Sequence, residues 1–179
     1  MLRKTAKAVP KKDIGSPALK KVIAKMRKVL AGEGYGVAIA APQIGESLRI
    51  FVVAGKAFVT DEEKKAFDNN EPGQPVPPDM VFINPELARL SRAKKEMSEG
   101  CLSVRGKYGT VMRHLKASVK ALDERGKPTT YHGSGLIAHI FQHECDHLDG
   151  ILYTDKAVLL EEDEDMKGAR EKLNKKRGI

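Results

Sequence analysis

His143-Glu144-x-x-His147, inside the stretch from Gln142 to Gly150, has residue types and spacing that can do chemistry. Residues four apart share one face of a helix. Two imidazoles can therefore meet one metal ion, with the Glu144 carboxylate beside whatever that ion activates. The chemistry would be metal-assisted hydrolysis. Such a short pattern also arises by chance, so the chain must supply a helix, a third ligand and a pocket.

The helix is predicted from its flanks. Ser134 can cap it, Leu136, Ile137, Ile140 and Phe141 give it apolar sides, and Gly150 can stop it. For the third ligand, His139 extends the histidine stripe. However, it lies roughly 12 Å along the axis from His147, at about 1.5 Å of rise per residue, a turn too far for a shared ion. Cys145 points to another side of the helix and reads as a small buried hydrophobe. Cys101 sits outside the helix in a glycine-flanked segment and can approach from the open side. A structural thiol and a nucleophile are its alternatives. As a ligand it would leave a fourth tetrahedral position for water, the mark of a catalytic site.

The rest of the chain must position these groups. Ser16-Pro17 opens a helix with Leu19, Val22, Ile23, Met26, Val29 and Leu30 on one face, and Gly32 and Gly34 end it. The small residues from Gly34 to Gly45 read as a tight loop, ending near Gln43, whose amide can face an oxyanion. Leu48 to Ala54 and Met80 to Asn84 read as strands, the second closed by Pro85 with extended pairing resumed from Glu86. Glu124-Arg125-Gly126-Lys127 is a hairpin turn between two further strands. Gly55 to Pro78 reads as an exposed excursion with a helical turn near Glu62 to Phe67. From Thr154 or Asp155 onward, acidic then basic residues suit the dipole of a last helix.

The 179 residues suffice for one domain with a real core. No apolar run approaches the ~20 residues that cross a bilayer, and no signal-peptide core follows the first residues. Two cysteines are too few for a disulfide scaffold and suit a reducing cytoplasm. The net charge of +8 fits a solvated basic surface or an acidic partner such as RNA.

Three separated segments together resemble the peptide deformylases. Gly36 to Gly45 is similar to the first motif of that family, Glu99 to Ser103 matches the second, and Gln142 to Leu148 matches the third. The resemblance covers most of the chain, from about Ser16 to Asp155. It implies an α+β fold, with antiparallel or mixed sheets wrapped around a central metal-binding helix and a helix toward each end. The chain reads as a single domain of that kind over residues 1–179, with 55–78 as an exposed insertion and 155–179 as a charged C-terminal helix.

The activity implied is removal of the formyl group from N-formylmethionine at the start of nascent polypeptides, with release of formate. By that resemblance Cys101, His143 and His147 are the metal ligands, and the ion is Fe²⁺, with Zn²⁺, Ni²⁺ or Co²⁺ able to replace it. Glu144 becomes the general base and acid, while Gln43 and the Leu102 backbone N–H become oxyanion donors. Glu99 is grouped with the substrate-binding residues and expected to pair with Arg113. Met97, Leu136 and Ile140 are candidates for the wall of a methionine slot. Backbone from Gly36 through Ala38 to Ile39 would pair with the peptide as an added strand. Ala38 replaces a family glycine, so its methyl would either narrow the mouth or stiffen the loop.

Two alternatives stand beside this. A His-Glu-x-x-His peptidase would need a further ligand downstream, and no histidine follows His147. A basic ribosome-binding protein with a structural metal site would need neither Glu144 nor Gln43. The basic first helix and the stretch from Lys167 to Arg177 remain candidates for docking on ribosomal RNA.

Overall fold

The computed structural model describes residues 1–59 and 77–162. Helix α1 (Pro17–Gly32) opens as expected, with the Ser16 side chain accepting from the Leu19 N–H at 3.2 Å. It buries Leu19, Ile23, Met26 and Leu30, but leaves Val29 exposed. The glycine-rich segment is not wholly loop. It holds strand β1 (Ala38–Ala40) and a 3-10 turn, Ala41–Ile44.

Strands β2 (Ile50–Val53), β3 (Met80–Leu90), β6 (Lys116–Leu122) and β7 (Pro128–Ser134) join β1 in an antiparallel sheet of order β1-β2-β3-β6-β7. Strands β4 (Lys94–Cys101), β5 (Val104–His114) and β8 (Ala157–Glu162) form a second sheet, β4-β5-β8. Helix α2 (Gly135–Leu148) carries the histidine pair.

Strand alternation sorts the apolar residues. In β2, Phe51 and Val53 face one core while Ile50 and Val52 face another. The first core packs the five-stranded sheet against α2, with Phe51 and Phe82 stacked at 4.5 Å and Phe141 edge-on to Phe82 at 5.3 Å. The second packs the opposite face against α1.

Pro85 does not close its strand. β3 runs through it, because the register shifts between Ile83 and Glu86 and a bulge needs no donor there. Asn84 takes a positive φ of 51° at this point, and its side chain bonds both the N–H and the C=O of Val9.

Helix α2 also differs at its start, where Ser134 makes no side-chain cap hydrogen bond. Gln142 ties the helix to the β5–β6 junction instead. Its Oε1 accepts from the His114 N–H at 3.0 Å, and its Nε2 donates to His114 O at 2.9 Å. At the far end Gly150 adopts φ 76°, and the Ala6 N–H donates to Leu148 O at 2.8 Å.

The expected last helix is a strand where it is described. Val158, Leu159 and Leu160 lie on β8, pairing the outer edge of β5. Edge pairing there outweighs local helix propensity. Asp155 closes a 3-10 turn over Tyr153–Asp155 by accepting from the Leu152 N–H at 2.9 Å. The remainder of that expected helix, and the helical turn near Glu62 to Phe67, lie outside the described residues. The excursion itself begins buried, since Gly55 and Ala57 pack inside in a 3-10 turn. Among the described residues no helix is long and apolar enough to cross a membrane.

Candidate active site

Cys101 ends β4 at the tip of a hairpin. It pairs with Val104 across the two-residue turn Leu102-Ser103, after a register shift at Gly100. That turn carries the thiol to the exposed flank of the histidine pair. Cys101 Sγ lies 3.2 Å from His147 Nε2, and the donor atoms of Cys101, His143 and His147 all fall within 4.8 Å of one another. The imidazole rings of His143 and His147 stand 4.8 Å apart.

This donor set fits a divalent cation of borderline softness. A buried Glu144 Oε2 has no hydrogen-bond partner among the described residues, as expected of an oxygen that serves a reacting molecule beside the ion. Burial disfavours the imidazolium of both histidines. For His143, hydrogen bonds donated to Cys101 and Glu99 overcome it and push the ring up to about 10. For His147, the charge on His143 adds to burial and pulls it down to about 3. A protonated His143 must release its Nε2 proton before that nitrogen can hold an ion. Burial, with the Glu99 charge, pushes the Glu144 carboxyl up to about 7 against the opposing charge of His143.

Behind the donors lies a buried polar chain. Glu99 takes Arg113 Nε on Oε1 at 2.5 Å and Arg113 Nη2 on Oε2 at 3.1 Å. His143 Nδ1 donates to Oε2 at 2.7 Å, leaving its Nε2 for an ion. Asp146 joins Arg113 at 2.7 Å to Lys156 at 2.6 Å, so charges alternate along the chain. Burial penalises the Glu99 charge. The bonds from His139, His143 and Arg113 outweigh it and hold the carboxyl well below the ordinary carboxylate range.

Glu99, His139 and His143 are themselves close enough to suggest a second ion. Arg113 already neutralises that carboxylate, which makes the group a hydrogen-bonded brace.

Gln43 faces the same turn. The Ala40 N–H donates to its Oε1 at 2.7 Å. Its Nε2 is thereby aimed at Ser103 Oγ (3.2 Å) and Cys101 Sγ (3.5 Å).

A cavity of about 560 Å³ opens over these groups, bordered by Gln43, Cys101, Leu102, His143 and Glu144. Of the expected substrate residues, Gly36, Ala38, Glu99, Leu136 and Ile140 line it, and Met97 and Ile39 do not. Ile39 alternates to the opposite core, 1% exposed against α1. Met97 pairs with Val111, roughly 13 Å up the hairpin from Cys101 at about 3.3 Å per residue. Glu99 borders the cavity, yet its carboxylate is engaged by Arg113 and the two histidines. Ala38 sits in β1 without the positive φ that would call for glycine, its methyl in the first core at the cavity wall.

Sequence reasoning missed Tyr108, and the Arg105–Glu33 ion pair (2.7 Å) that joins two walls of the cavity. It also set His139 aside. His139 lines the cavity and bonds Glu99 Oε1 at 3.0 Å. Arg105 and Tyr108 come from β5, Glu33 from the end of α1 and His139 from α2, so only their meeting in space marks them, and no local pattern carries it.

A family model described as polypeptide deformylase matches residues 1–163. The chain belongs to the polypeptide deformylase family. Peptide deformylase 1A, chloroplastic, of Solanum lycopersicum is 39% identical over 87% of this chain, and the match spans 56% of that protein's length. The chain thus spans little more than half of that relative. A peptide deformylase of Desulforudis audaxviator is 36% identical over 89% of both chains. Among solved structures, the Met-Ala-Ser-bound class I type b peptide deformylase from Acinetobacter baumannii superposes with a TM-score of 0.73. It has 31% identity and covers 87% of this chain and 91% of that one. The three deformylase-like segments, distant in sequence, meet around one cavity.

Proposed function

We propose that this deformylase-family chain hydrolyses the formyl amide of N-formylmethionyl peptides, releasing formate and a free amino terminus. The observation that carries the reading is the partnerless Glu144 Oε2, buried beside Cys101, His143 and His147 at the cavity that Gln43 borders.

Cys101, His143 and His147 would hold the ion, which we take to be Fe²⁺, with Zn²⁺, Ni²⁺ or Co²⁺ as substitutes. When bound, it supplies Lewis acidity to a water and to the formyl carbonyl. Glu144 takes the proton of that water at Oε2 as the oxygen bonds to the formyl carbon. It returns the proton to the amine nitrogen as the C–N bond breaks. Gln43 Nε2 and the Leu102 N–H stabilise the developing oxyanion. β1 ends the five-stranded sheet, so its outer backbone edge is placed to pair with the peptide. Leu136 and Ile140 border the slot for the methionine side chain.

The reading is tested by formate release from formyl-Met-Ala-Ser, using protein purified anaerobically and loaded with Fe²⁺. Absence of release overturns it. Glu144→Ala is expected to lose about 10³-fold in turnover with its metal retained, and a near-normal rate would remove Glu144 from the reaction. The exposed lysines of α1, Lys20, Lys21, Lys25 and Lys28, support docking on ribosomal RNA. Co-sedimentation with ribosomes that weakens with salt is the corresponding check. We place the reaction in the cytoplasm, to be checked by fractionation because the tomato relative is named chloroplastic.

A further inference from the structure

His139 is the polar member of a wall it shares with Leu136 and Ile140. Its side chain is only 12% exposed, and its Nε2 bonds Glu99 Oε1 at 3.0 Å. A carboxylate has about four acceptor directions, and Glu99 fills all of them: two from Arg113, one from His143 and one from His139. Arg113 grips the carboxylate from β5. Both histidines reach it from α2, one turn apart.

We propose that His139 is a positioning residue: from the cavity wall it holds Glu99 in the orientation that presents His143 Nε2 to the metal. The inference rests on the ligand set Cys101, His143 and His147 proposed above. Without the His139 bond, Oε1 keeps only Arg113 Nε and lies open to water from the cavity. The carboxylate can then turn, and the His143 ring turns with it. Groups that orient a ligand from behind commonly change metal affinity by about 10- to 100-fold.

The test loads the wild-type chain, His139→Leu and His139→Gln with Zn²⁺ and follows metal loss to a chelator. Leucine keeps the bulk and removes the donor; glutamine keeps an N–H where Nε2 stood. Loss is expected to be about tenfold faster in the leucine variant and within about twofold of wild type in the glutamine variant. A wild-type rate in the leucine variant overturns the proposal. Equal acceleration in both variants also overturns it, since volume rather than the bond would then matter. If His139→Leu does not fold, His139→Ala replaces it, its missing bulk facing the cavity. Metal retention is read without turnover. A wild-type chain that binds Zn²⁺ but releases no formate would remove the proposed activity and leave this inference standing.

Discussion

Helix α2 has two unlike sides. Toward the five-stranded sheet it offers Ala138, Phe141, Cys145 and Leu148 to a core of stacked aromatic rings. Toward the three-stranded sheet it offers His139, His143, Asp146 and His147 to Glu99, Cys101 and Arg113. The first side holds the helix by area removed from water, which is non-directional and tolerant. The second holds it by charge-assisted hydrogen bonds at fixed angles. The division teaches that one side fixes where the helix lies, while the other fixes what its side chains do.

The comparison breaks if changes on one side register as the other kind of effect. Cys101→Ala is expected to abolish tight metal binding, read as metal content after gel filtration, with metal-free stability little changed. Full retention would return Cys101 to its alternatives. Phe82→Ala should lower unfolding stability by about 3–5 kcal/mol, measured by denaturant titration, while bound metal per folded molecule stays constant. Gln43→Ala should cost about 10² in kcat with metal intact, and a change confined to KM would remove it as an oxyanion donor. The two thiols offer a gentler contrast. Cys145 is 3% exposed in the apolar core, whereas Cys101 is half-buried at the cavity. Metal-stripped native protein should therefore show one fast thiol in a colorimetric titration, and two would mean that the apolar side opens. Arg105→Ala breaks an exposed ion pair and should alter stability by less than about 1 kcal/mol.

The two sides were also unequally legible. α1, its Ser16 cap and the hairpin turn at Gly126 follow from local periodicity and turn chemistry, and so does the helix carrying His143 and His147. Spacing along one helix is a local fact. The partners of that helix are not. The family resemblance leads to the pairing of Glu99 with Arg113, which the structure has, but nothing near Glu99 in sequence shows that two histidines also converge on it. Cys101 read as a ligand from its glycine neighbours, but its place at a hairpin tip depends on β4 pairing with β5. The charge order from Asp155 onward suits a helix dipole, yet Ala157–Glu162 is strand β8. The free edge of β5 that captures it lies some fifty residues away, as the pairing of Tyr108 with Glu161 shows. Distance along the helix sets His139 apart from a shared ion with His147, and the same argument says nothing of its bond to Glu99.

The seal at the end of α2 has a consequence for when the site comes into being. The last carbonyl of the helix is met by Ala6, and Asn84 clamps Val9 nearby. The segment around Ala6 therefore finds its place only against residues near the far end of the described chain. Contacts of such long sequence separation form slowly. The candidate donors Cys101 and His147 lie 46 residues apart, so a metal site built on them would also await a non-local contact.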